Sequence, residues 1–139
     1  MKDDSLTDPY DVIAPWYDLE HAEFTDDLGM YRGFAESTGS PILEVGCGSG
    51  RLLVPLAEAG YTITGVDRSQ AMLNRCQTAV DDADVAVATR VTLVQMDMTT
   101  FQLLQRDYRF AFVALGTFQH LPALAEQLAA LRRLRAHVV

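Results

Sequence analysis

The sequence predicts an α/β fold, a doubly wound parallel sheet with helices on both faces. Three observations carry that expectation. Short apolar runs alternate with amphipathic segments from residue 42 onward, and the runs are nearly continuous in Val, Ile, Leu and Phe. A glycine-rich stretch, EVGCGSGR at residues 44–51, joins the first run to the first amphipathic segment. Alternation of this kind builds a parallel sheet. Right-handed crossovers then collect the C-terminal strand ends on one rim, where ligands bind.

The elements follow in order. Residues 9–38 carry aromatics among acids (Tyr10, Trp16, Tyr17, Phe24, Tyr31, Phe34), with a helix predicted near 26–37 and Gly39-Ser40-Pro41 as punctuation. The first strand is predicted at 42–45. Leu52, Leu53, Leu56 and Ala59 then recur at helical spacing up to Gly60, with Pro55 tolerable near the helix start. A second strand is predicted at 61–66. Ser69 is placed to cap a helix whose Met72, Leu73, Cys76 and Val80 share a face. Asp81-Asp82-Ala83-Asp84 reads as an exposed turn or helix end, since nothing nearby completes a metal site. Third and fourth strands are predicted at 91–96 and 110–115, apolar enough to be buried on both faces. A last helix is predicted over about 120–136, on Leu121, Leu124, Leu128, Leu131 and Leu134.

Composition narrows the function classes. The 139 residues suit one domain. The formal charge is −8, and 11 of 19 acidic residues lie within residues 1–44, which disfavours nucleic acid and anionic membranes as partners. No stretch approaches the ~20 apolar residues of a membrane span, and the acidic N-terminus is no secretory signal. Two cysteines, Cys47 and Cys76, are too few for a disulfide framework or a zinc cluster. A cytoplasmic location is expected.

The glycine loop then has to be matched to a ligand. A P-loop needs GxxxxGK[ST], and the only lysine is Lys2. The dinucleotide fingerprint GxGxxG fits Gly46 and Gly48 but meets Arg51 where a small residue belongs, which disfavours NAD and an oxidoreductase. What remains is GxGxG preceded by an acid, with another acid at the end of the next strand. LEVGCGSGR, TGVDRSQAML, LVQMDMTTF and ALGTFQHL, in that order and spacing, resemble the class I S-adenosylmethionine (SAM) dependent methyltransferases. The opening YDVIAPWYD looks like the N-terminal segment of members that act on small molecules.

The resemblance implies a Rossmann-like sheet of order 3-2-1-4, carrying SAM and releasing S-adenosylhomocysteine. Gly46, Gly48 and Gly50 would let the backbone pass under the cofactor without Cβ clashes, with Cys47 as a small filler between them. Glu44 would hold the loop or meet the ammonium group. Asp67, followed by Arg68, would accept from both ribose hydroxyls. Asp97 and the Met98 amide would meet the adenine, with Met72 and Met98 flanking its ring. Leu115 lies on the rim bordering the methyl group. His120 is the candidate general base, the alternative being a cap for the final helix; His21 and His137 read as surface residues. Tyr10, Trp16 and Tyr17 would form a lid or anchor the N-terminal segment. The organisation expected is a helical lid segment over 1–38 and a SAM-binding domain over 39–139.

The chain departs from the family pattern at its end. Members of the family carry seven strands, and this sequence stops at Val139, after the helix that follows the fourth strand. That predicts a fragment or a partner-covered edge, and an exposed fourth strand inviting a homo-oligomer. Two activities follow as alternatives: methyl transfer to a small-molecule acceptor, or a SAM-binding module without catalysis.

Overall fold

The computed structural model describes residues 8–21, 26–114 and 117–139, without the side chains of 17–21, 118 and 119. It holds one four-stranded sheet of order β3-β2-β1-β4. The strands are β1 (Ile42–Val45), β2 (Ile63–Asp67), β3 (Val91–Gln95) and β4 (Phe110–Phe112). All three pairings are parallel, with Ile42 opposite both Ile63 and Phe110. The predicted class, the strand order and the Rossmann-like winding are therefore as expected.

Burial follows position in the sheet. β1 and the first four residues of β2, flanked on both sides, are buried. β3 and β4 are edge strands, and most of their residues keep part of their surface in solvent. The expectation that the third and fourth strands are buried on both faces is corrected on that point, because each lacks a neighbour on one side. β4 is also shorter than the predicted 110–115.

Successive β1 residues point to opposite faces and so enter two cores. Ile42 joins Leu53, Leu56, Ala57, Cys76, Val80 and Val87 on one face. Leu43 and Val45 join Val66, Phe101 and Tyr108 on the other. The first core is roofed by α2 (Leu28–Thr38), α3 (Leu53–Glu58), α4 (Gln70–Asp82) and the short α5 (Val85–Ala88). The second is closed by the 98–103 segment and by Leu134 of α6 (Leu124–His137).

Local chemistry sets the helix ends. Ser69 caps α4, its hydroxyl accepting from the Met72 amide at 3.2 Å, as the sequence predicts. Asp84 caps α5 through the Ala86 amide, which resolves part of the aspartate cluster into capping chemistry. Ahead of these lies α1 (Pro9–His21), within the segment over 1–38 expected to be helical, where the sequence placed only a helix near 26–37. Its start has a signal: Asp8 accepts from the Tyr10 amide at 2.9 Å while Pro9 takes the first helical position.

His137 corrects a second expectation. It is fully buried, its Nε2 accepting from the Leu103 amide at 3.0 Å and its Nδ1 lying 2.6 Å from the Arg133 carbonyl. The Nδ1–H tautomer satisfies both partners at once. His137 thus ties α6 to the loop before β4. Beside it, Tyr108 pairs in parallel with Val138. The Tyr108 amide donates to the His137 carbonyl and its carbonyl accepts from the Val139 amide.

Candidate functional site

A cavity of about 570 Å³ opens on the C-terminal rim of the sheet. Its floor comes from three successive strand ends: Val45, Gly46 and Gly48 after β1, Asp67 and Arg68 after β2, and Met96, Asp97 and Met98 after β3. Met72 of α4 lines one wall, and Thr117, His120 and Leu121 border it from the β4 side. Asp8, Pro9, Tyr10 and Ile13 close over it from α1 and its cap.

The glycine loop is stitched to the end of β2. The Gly46 and Cys47 amides both donate to the Val66 carbonyl, at 2.6 and 3.1 Å, and the Gly48 amide donates to Asp67 Oδ2 at 2.8 Å. Gly46 adopts φ +77°, and a Cβ there would lie 2.5 Å from Thr117 Cγ2. Only glycine fits, for conformational and for steric reasons. Gly50 differs: at φ +93° its hypothetical Cβ would meet Cys76 Sγ at 2.9 Å and Val54 Cγ2 at 3.0 Å. It lies outside the cavity lining and packs against Cys76 of α4 and Val54 of α3.

Asp67 is held by backbone amides from both sides of the site. Its Oδ1 accepts from the Ser69 amide at 2.9 Å and its Oδ2 from Gly48, leaving one acceptor direction on each oxygen. Burial raises its pKa, against the lowering effect of the Ser69, Gly48 and Arg68 amides. Asp97 is opposite in sign. Burial again pushes upward, but the Thr99 hydroxyl and amide, with the Arg68 charge, bring it below the usual carboxylate value. Thr99 occupies Asp97 Oδ1 at 2.6 and 2.8 Å, and Oδ2 stands 4.0 Å from Arg68 Nη1. Arg68 also reaches Asp8 at 3.2 Å.

Glu44 and Cys47 sit behind this floor. Glu44 is buried, its Oε1 has no hydrogen-bond partner, and burial holds its pKa well above the ordinary range. Both residues line a second cavity of about 20 Å³, which shares Gly46 and Thr117 with the larger one. That space has room for about one water-sized group. Arg51, which breaks the dinucleotide fingerprint, is turned to α2 and forms a bidentate pair with Asp27 at 2.7 and 2.9 Å.

His120 ends a 3-10 turn, Thr117–His120, rather than starting the last helix as expected. Its ring is exposed, lies 2.9 Å (Nδ1) from the Tyr10 hydroxyl and stacks on the Tyr10 ring at 5.4 Å. Tyr10 lines the cavity, whereas Trp16 is 70% exposed and stands outside its lining. Leu115 and the side chains of Tyr17 and His21 lie outside the described residues. Sequence reasoning missed Asp8, Asp11 and Thr117. Asp11 accepts from the Ser69 hydroxyl and from the Ala71 amide, locking α1 onto the start of α4. That first bond depresses its pKa. The Asp8-Pro9 pair was the available signal for α1.

Residues 42–138 match a family described as methyltransferase domain. The chain belongs to the methyltransferase domain family. It is 32% identical over 129 residues to a ubiquinone biosynthesis O-methyltransferase of Alkalilimnicola ehrlichii, covering 91% of this chain and 49% of that protein. The CcbJ methyltransferase from Streptomyces caelestis superimposes with TM-score 0.80 at 27% identity, covering 91% of this chain and 51% of that one. The glycopeptide N-methyltransferase MtfA complexed with SAM gives TM-score 0.73 at 28% identity, over 84% and 52%. This methyltransferase domain spans between 34% and 49% of the first three curated relatives it matches. Among the described residues, no helix is long and apolar enough to cross a membrane.

Proposed function

We propose that this domain binds SAM in the rim cavity and serves methyl transfer to a small-molecule acceptor. The observation that carries the reading is the convergence of Gly46, Gly48, Asp67 and Asp97 from three strand ends on one cavity. The residues fit the group. Asp67 keeps acceptor capacity for a ribose diol, Gly46 leaves space that a Cβ would fill, and the orphaned Glu44 Oε1 suits an ammonium group. Asp97 and Met98 are assigned to the adenine, and Met72 and Met98 to its faces. The cofactor supplies an electrophilic methyl group on a sulfonium.

The chain's own residues then bind and align. Asp67 and the loop would hold the cofactor, and Thr117 and His120 border the side of the cavity from which an acceptor would be aligned with it. His120 takes the proton from an acceptor hydroxyl or ammonium, and the Tyr10 hydroxyl orients its ring. The segment over 1–38 acts as the lid through α1. The relatives include O- and N-methyltransferases by name, and the acceptor atom here is left to experiment. A reducing, cytoplasmic setting is supported by two unpaired, buried cysteines. Self-association through the β4 edge is part of the same reading.

A panel of small hydroxyl and amine acceptors with methyl-labelled SAM tests it. Label transfer that falls at least tenfold in His120→Gln is expected. Full transfer in that variant would remove His120 from the mechanism. SAM binding without transfer to any acceptor would favour a non-catalytic binding portion, a reading suggested by the half-length coverage of the relatives.

A further inference from the structure

α1 is built inside out. Its inner face carries Asp11, bonded to Ser69 and Ala71, and Ala14, 1% exposed. Its outer face carries Pro9, Val12, Ile13 and Trp16, spaced i, i+3, i+4 and i+7, the repeat of one helical stripe. Val12 is 69% exposed, Ile13 42% and Trp16 70%. A carboxylate turned inward and a tryptophan turned outward reverse the usual burial order. The inward acid is explained by the capping of α4; among the described residues, nothing covers the outward stripe.

The stripe is continuous with the cavity. Pro9 and Ile13 line the cavity and also reach the surface, while Val12 and Trp16 extend the same apolar strip outward. Seven residues of helix make a track about 10 Å long. We infer that this track seats the apolar part of the methyl acceptor. The acceptor is then a molecule with a nucleophilic head, placed beside the hydrogen-bonded Tyr10–His120 pair, and an alkyl or aromatic extension lying along α1. This rests on the proposed cofactor site for where the head goes, but the track itself does not depend on the cofactor.

The test uses 4-n-alkylphenols from methyl to octyl, with S-adenosylhomocysteine present and absent. Trp16 is the sole tryptophan, so its emission reports occupancy of the track directly. Affinity is expected to rise about twofold per methylene on an open track, up to fourfold where burial is complete, and to level off beyond about 10 Å. Val12→Ser combined with Trp16→Ser, read by calorimetry, is expected to flatten the series while leaving the affinity for 4-methylphenol and for S-adenosylhomocysteine unchanged. Affinity independent of chain length in the parent protein would overturn the inference. So would a series unaltered by the two substitutions. Trp16 emission that changes with protein concentration alone, or on adding phosphatidylcholine vesicles, would assign the stripe to a second copy or to a lipid surface instead. Loss of S-adenosylhomocysteine binding with the alkyl series intact would count against the cofactor site and not against the track.

Discussion

Asp67 holds the site together through its two oxygens. Each accepts one backbone amide, and each keeps an acceptor direction for the proposed ribose contact. Asn at this position replaces one acceptor by a donor facing an N–H group. Asp67→Asn is therefore expected to weaken SAM binding by tenfold or more, since a hydrogen bond to a charged group is worth about 1.5–3 kcal/mol. Calorimetric titration of the variant reads this, and undiminished affinity would refute the ribose assignment. Glu44 sets up an opposite balance. Its folded pKa is raised by burial, so the folded state holds its proton more tightly than the unfolded chain does. Its contribution to stability is then lost as pH rises from the ordinary carboxylate value toward the raised one. Glu44→Gln removes that slope. As pH rises from 4 to 8 the variant is expected to gain stability relative to the parent, whose buried carboxyl is increasingly pressed to ionise, while its SAM affinity falls. Urea denaturation at several pH values measures the gain, and parallel pH curves for the two proteins would contradict it.

The elements show why part of the fold was legible and part was not. The strands at 42–45 and 91–95 and the Ser69-capped helix were readable because periodicity, β-branching and capping agreed in one place. The glycine loop and Asp67 were readable for the same reason: their spacing serves one local connection. The bounds of α1 within the helical segment expected over 1–38 were not legible, because its apolar stripe is exposed and its polar face is buried, so the pattern gave no inward face to recognise. His137 was misread because its burial depends on Leu103, a partner 34 positions away that sequence spacing does not reveal. Edge exposure of β3 likewise depends on which strands neighbour it, a property of the assembled sheet. β4 carries the prediction at this scale. Its outer side is paired at Tyr108 by residues 137–139, while Phe110–Phe112 are paired in the sheet on the β1 side alone. Open strand edges recruit further strands. Light scattering is expected to give a mass that climbs above the monomer as concentration rises, and a strictly monomeric mass throughout would contradict it.

Across the whole molecule, a single rim gathers many of the residues the sequence singled out, among them the loop glycines 46 and 48, Asp67, Arg68, Met72, Asp97, Met98, Tyr10 and His120. The two cores beneath hold β1 and β2 rigid from both faces, which fixes the positions of the acids at their ends. Above, α1 is tied down by Asp11 on α4, Asp8 on Arg68 and Tyr10 on His120. The account stands on the identity of the small molecule in that cavity. Isothermal titration with SAM, S-adenosylhomocysteine and NAD tests it most directly. Saturable one-to-one binding of the first two and none of NAD is the predicted result. Binding of NAD without SAM would contradict it.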